Sequence, residues 1–210
     1  YTQAPSCIPA RACLVTGQSP STNGRLGYQD GVPWNYENTM MEVLRNGGYQ
    51  TINVGKTHFY PQRNNLGYEI NKLYDPQDFG DGFKSDYHKW LEEVSNGEVK
   101  DPCIEWDNNS WLPFPWDGPN EYHPTNWTTT TAIEELERKD PTRPFFLKVG
   151  YHRPHSPYDP PEYYLNIYKN KKLPPLPAGE WSEEFAQKTD QINASRGKIS
   201  EEVYVRMRKA

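Results

Sequence analysis

Three short stretches of this chain carry residue types that can do chemistry together. In Cys7-Ile8-Pro9-Ala10-Arg11 a cysteine stands just ahead of a helix-compatible run, and an arginine follows four residues later. Four residues is one helical turn, so both side chains can face the same anion. The backbone N–H groups at a helix start also favour negative charge. The plainer reading of the same stretch is a helix-capping loop with a buried cysteine and a surface arginine. Two further stretches, Gly55-Lys56-Thr57-His58 and Gly150-Tyr151-His152-Arg153-Pro154-His155, each follow a predicted strand. Ligands of open α/β sheets sit beyond the carboxyl ends of the strands. Lys56, His58, His152 and His155 could therefore converge on one anion. A histidine in such a place is otherwise a packed or hydrogen-bonded side chain.

The elements that must position these residues follow from local pattern. Ser6 is suited to cap a helix and Pro9 to its first turn; Ala10–Val15 continue it and Gly17 ends it. Residues 18–36 are turn-rich. Residues 38–46 read as a short amphipathic helix closed by Gly47-Gly48, and 49–54 as a strand. Residues 60–82 read as irregular. Tyr87, Trp90, Leu91 and Val94 have helical spacing within 84–95. A long loop is expected over 98–125, a surface helix over 127–139 and a second buried strand over 145–149. Helices are expected over 162–169 and 201–209, with a Pro-rich crossing, Leu173-Pro-Pro-Leu-Pro177, between them. Strands alternating with helices predict an α/β domain. No internal repeat and no linker between two cores is seen.

Composition narrows the class. A length of 210 residues suggests one domain or a large piece of one. Lys plus Arg is 23 against 28 for Asp plus Glu, so no positive field exists to recruit nucleic acid. The cluster Lys169–Lys172 reads as a solvated helix end. Mean hydropathy is −0.99, yet 14% of residues are aromatic, which argues against disorder. No run approaches the roughly 20 apolar residues of a membrane span. The three cysteines, Cys7, Cys13 and Cys103, form neither a disulfide framework nor a Cys-x-x-Cys pair. Tyr1 opens the chain without an initiator methionine or a leader pattern, so the chain reads as an internal or processed segment. Trp106, Trp111, Trp116 and Tyr122 could pack on sugar rings, but loop anchors are the favoured reading. Sequons at Asn108, Asn126 and Asn193 would matter only in a eukaryotic secretory protein. His88 and His123 have no motif around them and are expected on the surface.

Cys7-x-Pro9-x-Arg11 followed by Leu14-Val15-Thr16-Gly17 resembles the signature of the formylglycine-dependent sulfatases of the alkaline phosphatase superfamily. Gly55-Lys56-Thr57-His58 resembles the family's Gly-Lys-x-His segment. Gly150-Tyr-His-Arg-Pro-His-Ser-Pro157 resembles its strand followed by Pro-His-x-Pro, in a form closest to iduronate-2-sulfatase-like members. The order and spacing of the three motifs match, from residue 1 to about residue 170. The fold this implies is part of an alkaline-phosphatase-like sandwich, with a central, mostly parallel sheet flanked by helices. Residues 1–210 would be an incomplete N-terminal catalytic domain lacking its first strand and a later metal-binding segment.

The resemblance also implies an activity. A maturation enzyme that reads Cys-x-Pro-x-Arg would convert Cys7 to formylglycine, whose hydrated aldehyde carries two hydroxyls. One attacks sulfur and releases the alcohol. Deprotonation of the other re-forms the aldehyde and expels sulfate. Arg11 would hold the charge at residue 7, Lys56 would neutralise sulfate oxygens, and His58 would be the base. His155 would bind sulfate or protonate the leaving oxygen, with His152 as a substrate contact. The substrate would be a small-molecule or glycan sulfate ester, and the compartment periplasmic, secreted or lysosomal. Ala10 stands where the usual signature has serine, a variant also found in phosphonate monoester and phosphodiester hydrolases, which are the enzymatic alternative. The non-enzymatic alternative is an anion-binding protein in which Cys7 stays a thiol.

The family binds a divalent cation, usually calcium, through acidic residues beyond both ends of this stretch. Of those ligands only Cys7, as formylglycine, is expected here. Asp30, Asp75, Asp78 and Asp81 have the wrong order and context for them. The 210-residue piece alone is therefore expected to bind calcium poorly and not to turn over substrate.

Overall fold

The computed structural model describes residues 1–77, 81–105, 113–175, 179–180 and 201–210. They form two compact units, each made of two stretches of chain: Tyr1–Tyr87 with Trp127–His152, and His88–Asn126 with Arg153–Ala210. Because each unit is assembled from separated stretches, no linker composition marks them in the sequence.

The first unit is built on a parallel sheet of β1 (Gln50–Gly55), β2 (Ile70–Leu73) and β3 (Phe145–Gly150), in the order β2-β1-β3. Central β1 is buried at every residue, so its polar side chains need partners. Thr51 Oγ1 donates to Gly67 O at 2.8 Å, and Asn53 Nδ2 donates to Asn71 Oδ1 at 2.8 Å. Gln50 Oε1 accepts from the Asp140 N–H at 2.8 Å. The strand expected over 49–54 is thus confirmed, ending one residue later. Strand β2 lies in the stretch expected to be irregular. Only its Leu73 is buried, so it shows no alternation, and pairing with β1 defines it. Where β1 meets β3, Gly55 lies opposite Gly150. Gly55 has φ +97°, and a Cβ there would come within 2.1 Å of Gly150 O, so only glycine fits.

Helix α1 (Cys7–Thr16) starts directly after Ser6, the expected cap, takes Pro9 into its first turn and runs one residue past Val15. Ser6 is extended at its N-cap but makes no side-chain cap bond, and Gly17 closes the helix at φ 67°. After the short α2 (Pro20–Asn23), α3 (Met40–Asn46) begins with a capping box between Thr39 and Glu42. Ile8, Ala12 and Val15 share one face of α1 and pack with Trp34, Met41, Phe59, Leu66 and Tyr68. Each large apolar side chain buried there contributes roughly 1.5–3 kcal/mol. On the sheet, Ala132 packs against Ile52 and Val54.

The second unit holds most of α4 (Asp86–Val94), then α5 (Pro102–Glu105), a 3-10 turn (Asn120–Tyr122), α7 (Glu162–Tyr168) and α8 (Glu201–Lys209). Helix α6 (Pro124–Glu137) starts within it and continues in the first unit. The expected 98–125 loop therefore contains two short helical turns. Its chain is held to residues 158–160 by Phe114 N–H to Tyr158 O and Trp116 N–H to Pro160 O, both 3.0 Å. Trp116 is buried and donates Nε1–H to Pro119 O at 3.0 Å, and the Tyr122 hydroxyl bonds Val94 O at 3.1 Å. Both are loop anchors. Trp106, Trp111, Asn108, Asn193 and Asp78 lie outside the described residues. Lys169–Lys172 are exposed, as expected.

The structure corrects the expectation for two histidines: His88 and His123 are buried, at 7% and 5% exposure. His88 Nε2 meets Asp101 Oδ2 at 2.9 Å, and His123 Nδ1 accepts the Thr125 N–H at 3.2 Å. Each histidine is needed to partner a polar group inside the unit. Among the described residues no helix is long and apolar enough to cross a membrane.

Candidate active site

Strand β1 delivers the first part of the site. Beyond Gly55 the chain stays buried through Lys56, Thr57 and His58. His58 adopts φ 65°, a conformation rare for a non-glycine residue. It is held there because its N–H donates to Asp75 Oδ2 at 2.8 Å. Asp75 follows β2 by two residues, and the β1–β2 register, Gly55 opposite Leu73, brings it alongside. The His58 ring is fixed on its far side as well. Its Nε2 lies 3.4 Å from Asp30 Oδ1, and the Tyr28 ring packs edge-on at 6.0 Å. Burial, then the Asp30 hydrogen bond, pushes the Tyr28 hydroxyl well above its ordinary pKa.

Helix α1 delivers the second part. Cys7 is its first helical residue and is partly exposed. One turn on, Arg11 donates Nη1–H to Lys56 O at 3.1 Å, tying α1 to the end of β1. Burial pulls the Arg11 pKa down, against the opposing pull of Asp75 and Cys7. Asp75 is wholly buried, and desolvation lifts its pKa although Lys56, the His58 N–H and Arg11 oppose the rise.

Strand β3 delivers the third part. Lys148 projects from it and donates Nζ–H to Lys56 O at 2.8 Å and to Asn53 Oδ1 at 2.9 Å. Burial, with the charge of Arg11, lowers its pKa to about 7. Two residues beyond β3, His152 is buried, with its ring edge-on to Tyr74 at 5.3 Å.

The structure thus brings Cys7, Arg11, Lys56, His58 and His152 into one unit. His155 belongs to the second unit. There its Nδ1 lies 2.9 Å from Ser156 O, and it lines a cavity of about 440 Å³ with His123, Arg153 and Asp159. Sequence reading missed Lys148 and passed over Asp30 and Asp75. The strand expected to be buried over 145–149 is exposed or half-buried along its length. Lys148 is half-buried, its ammonium partnered by Asn53 and the Lys56 carbonyl. A lysine within a strand pattern is itself a flag, since lysine is almost never buried without a partner. Asp75 had no comparable signal, because the strand that carries it is hidden in the sequence.

The implied calcium can be tested against these residues. Calcium takes six to eight oxygen ligands. Among the described residues no three His, Cys, Asp or Glu side chains come together as ligands. The acid nearest the cations, Asp75, is already engaged with the His58 N–H. The described residues do not by themselves fit a calcium site. They do fit a modified residue 7, which sits partly exposed at the first turn of a ten-residue helix with Arg11 one turn away.

A parallel sheet with a helix tied to the end of its central strand through Arg11 defines the class as an α/β protein. Comparison with known proteins gives the family: the sulfatase family model matches residues 1–193, and the chain belongs to that family. It is 40% identical to an arylsulfatase of Clostridium perfringens, an alignment covering all of this chain and 46% of that relative. It is 32% identical to human iduronate 2-sulfatase, over 84% of this chain and 32% of the relative. Among solved structures, a phosphonate monoester hydrolase of Agrobacterium radiobacter superposes with TM-score 0.71 at 19% identity. That superposition covers 99% of this chain and 46% of the other, and it shows the expected alkaline-phosphatase-like fold. The chain spans less than half the length of these relatives.

Proposed function

We propose that the whole protein hydrolyses sulfate esters, with sulfated sugars as the substrate class, through a formylglycine made from Cys7 by a maturation enzyme. The observation that carries this reading is the Arg11 bond to the Lys56 carbonyl. It joins the Cys-x-Pro-x-Arg helix to the Gly-Lys-x-His strand end, so the cations of two motifs serve one place. Formylglycine supplies a hydrated aldehyde, with one hydroxyl to attack sulfur and a second through which sulfate is later expelled.

The chain's own residues do the rest. Arg11 holds negative charge at residue 7. Lys56 stabilises the sulfate oxygens as charge develops on them. His58 takes a proton at its ring, which Asp30 and Tyr28 orient. Motif kinship alone supports a role for His155, either binding sulfate or protonating the leaving oxygen, and for His152 as a substrate contact. Calcium, where the family uses it, would need ligands besides the described residues, and the compartment is periplasmic, secreted or lysosomal by kinship.

The test is mass spectrometry of the Cys7 peptide from full-length protein made with a formylglycine-generating enzyme, beside assays on matched sulfate and phosphate esters. Expected are conversion of Cys7 and faster turnover of the sulfate ester, both lost in Cys7→Ala. An unmodified thiol in an active protein would overturn the covalent route. Preference for a phosphate diester would select the alternative that Ala10 suggests.

A further inference from the structure

Lys148 is a cation of the site that no motif accounts for. It rises from the middle of β3, beside the central strand, where a lysine is out of place unless its ammonium has work. Its partners say what that work is. One hydrogen bond goes to Asn53 Oδ1 and the other to Lys56 O, the same carbonyl that Arg11 grips from α1. Two cations from two elements thus close on one peptide oxygen, that of Lys56. The close fit extends to β3 itself. A Cβ added to Gly150 would come within 2.8 Å of Lys56 O and 2.9 Å of Lys148 Nζ.

We propose that Lys148 is a positioning residue of the anion site: it clamps the Lys56 peptide and adds a third positive charge behind the group that Lys56 and Arg11 receive. This rests on the reading of that place as the sulfate site. Among the described residues, Arg11 from α1 and Asp75 after β2 act on Lys148 by charge; Cys7 and the Tyr68 hydroxyl lie beside Arg11, and Lys56 beside Asp75. Among the described residues Asp75 is an acid these cations share, and burial disfavours its anionic form. An incoming oxyanion adds negative charge, which favours the protonated form of Lys148. Anion binding and protonation of Lys148 are therefore linked: the anion binds tightest while Lys148 is charged, and its binding draws a proton onto Lys148 as the pH passes 7.

The experiment is calorimetric titration of the full-length protein with inorganic sulfate, from pH 6 to pH 8, in buffers of differing ionisation enthalpy. Sulfate affinity is expected to fall about tenfold over that range, with proton uptake near neutral pH, as linkage to a group titrating near 7 requires. In Lys148→Met both the pH slope and the uptake should vanish, and affinity at pH 6 should drop to that of the wild type at pH 8 or below. Lys148→Gln keeps a donor for Lys56 O but no charge. It should restore the melting temperature without restoring the pH slope. A wild-type affinity that does not vary with pH, or an uptake that survives in Lys148→Met, overturns the role of Lys148 alone. Failure of sulfate to bind at any pH overturns the site itself, and the proposal with it.

Discussion

The two units handle buried charge in opposite ways. In the first, Arg11 and Lys148 share a single carbonyl acceptor and face one acid, Asp75. In the second, Arg153 grips Asp159 through two nitrogens, Nε with Oδ1 and Nη2 with Oδ2, and places Nη1 3.0 Å from Cys103 Sγ. There Asp101 takes His88 at 2.9 Å, Arg153 at 3.6 Å and the Cys103 N–H at 3.0 Å. Arg153 is two residues from His155 and one from His152, within the same motif. Among the described residues its charge meets two carboxylates, whereas Arg11 and Lys148 donate to a backbone carbonyl. A buried cation held by carboxylates is structure. On the proposed reading, the cations of the first unit instead receive an outside anion.

This contrast can be broken most forcefully at Arg153. Arg153→Met leaves Asp101 and Asp159 buried without their cation, and should cost about 3–5 kcal/mol in unfolding free energy. Denaturant melts of the full-length protein would show it. A loss of activity with no loss of stability would mean that Arg153 belongs to the site. The mirror experiment is Lys56→Met, expected to lower kcat on a sulfate ester about 10²–10³-fold while leaving the denaturation midpoint close to the wild type. Equal damage to stability would erase the distinction.

Acid titration gives a subtler test. Burial pushes the Asp101 pKa up, but His88 and Arg153 outweigh it and hold it below the ordinary value. A depressed folded pKa gives stability that is present above about pH 4 and lost as the pH falls through the folded value. Asp75, raised by burial, runs the other way: its ionised form weighs against the fold as the pH climbs above about 4. From low pH up to about pH 5, Asp101→Asn should therefore lose ground to the wild type with rising pH, whereas Asp75→Asn should gain it as the pH climbs above about 4. Parallel curves for the two variants would be the contrary result. The smallest effect is the control. Glu134→Gln removes an exposed α6 pair with Arg138 at 3.8 Å, and should leave both the melting curve and the rate unchanged within error.

Much of the machinery was legible from residue order because it depends on local chemistry. Cys7 and Arg11 are one helical turn apart in any helix, and Gly17 ends that helix because its left-handed conformation suits glycine. The strand ends at Gly55 and Gly150 followed from short apolar runs meeting glycine. Strand β2, Asp75 and Lys148 were obscure for a shared reason. Their environment comes from chain segments far away in sequence: β2 is defined by pairing with β1, and Lys148 is held by Asn53, 95 residues earlier. His88 and His123 were misplaced on the surface because their partners, Asp101 and the Thr125 amide, carry no motif either.

By itself, then, the sequence determined the chemical types present, their order, and the short-range geometry of α1 and of the two strand ends, since a few neighbouring residues set these. Only the tertiary structure decided which charges are compensated. Burial and the partners that share it fix a buried group's charge state. The register of three parallel strands therefore sets Asn53 and the Lys56 carbonyl against Lys148, while Asp101 and Asp159 meet Arg153 in the second unit.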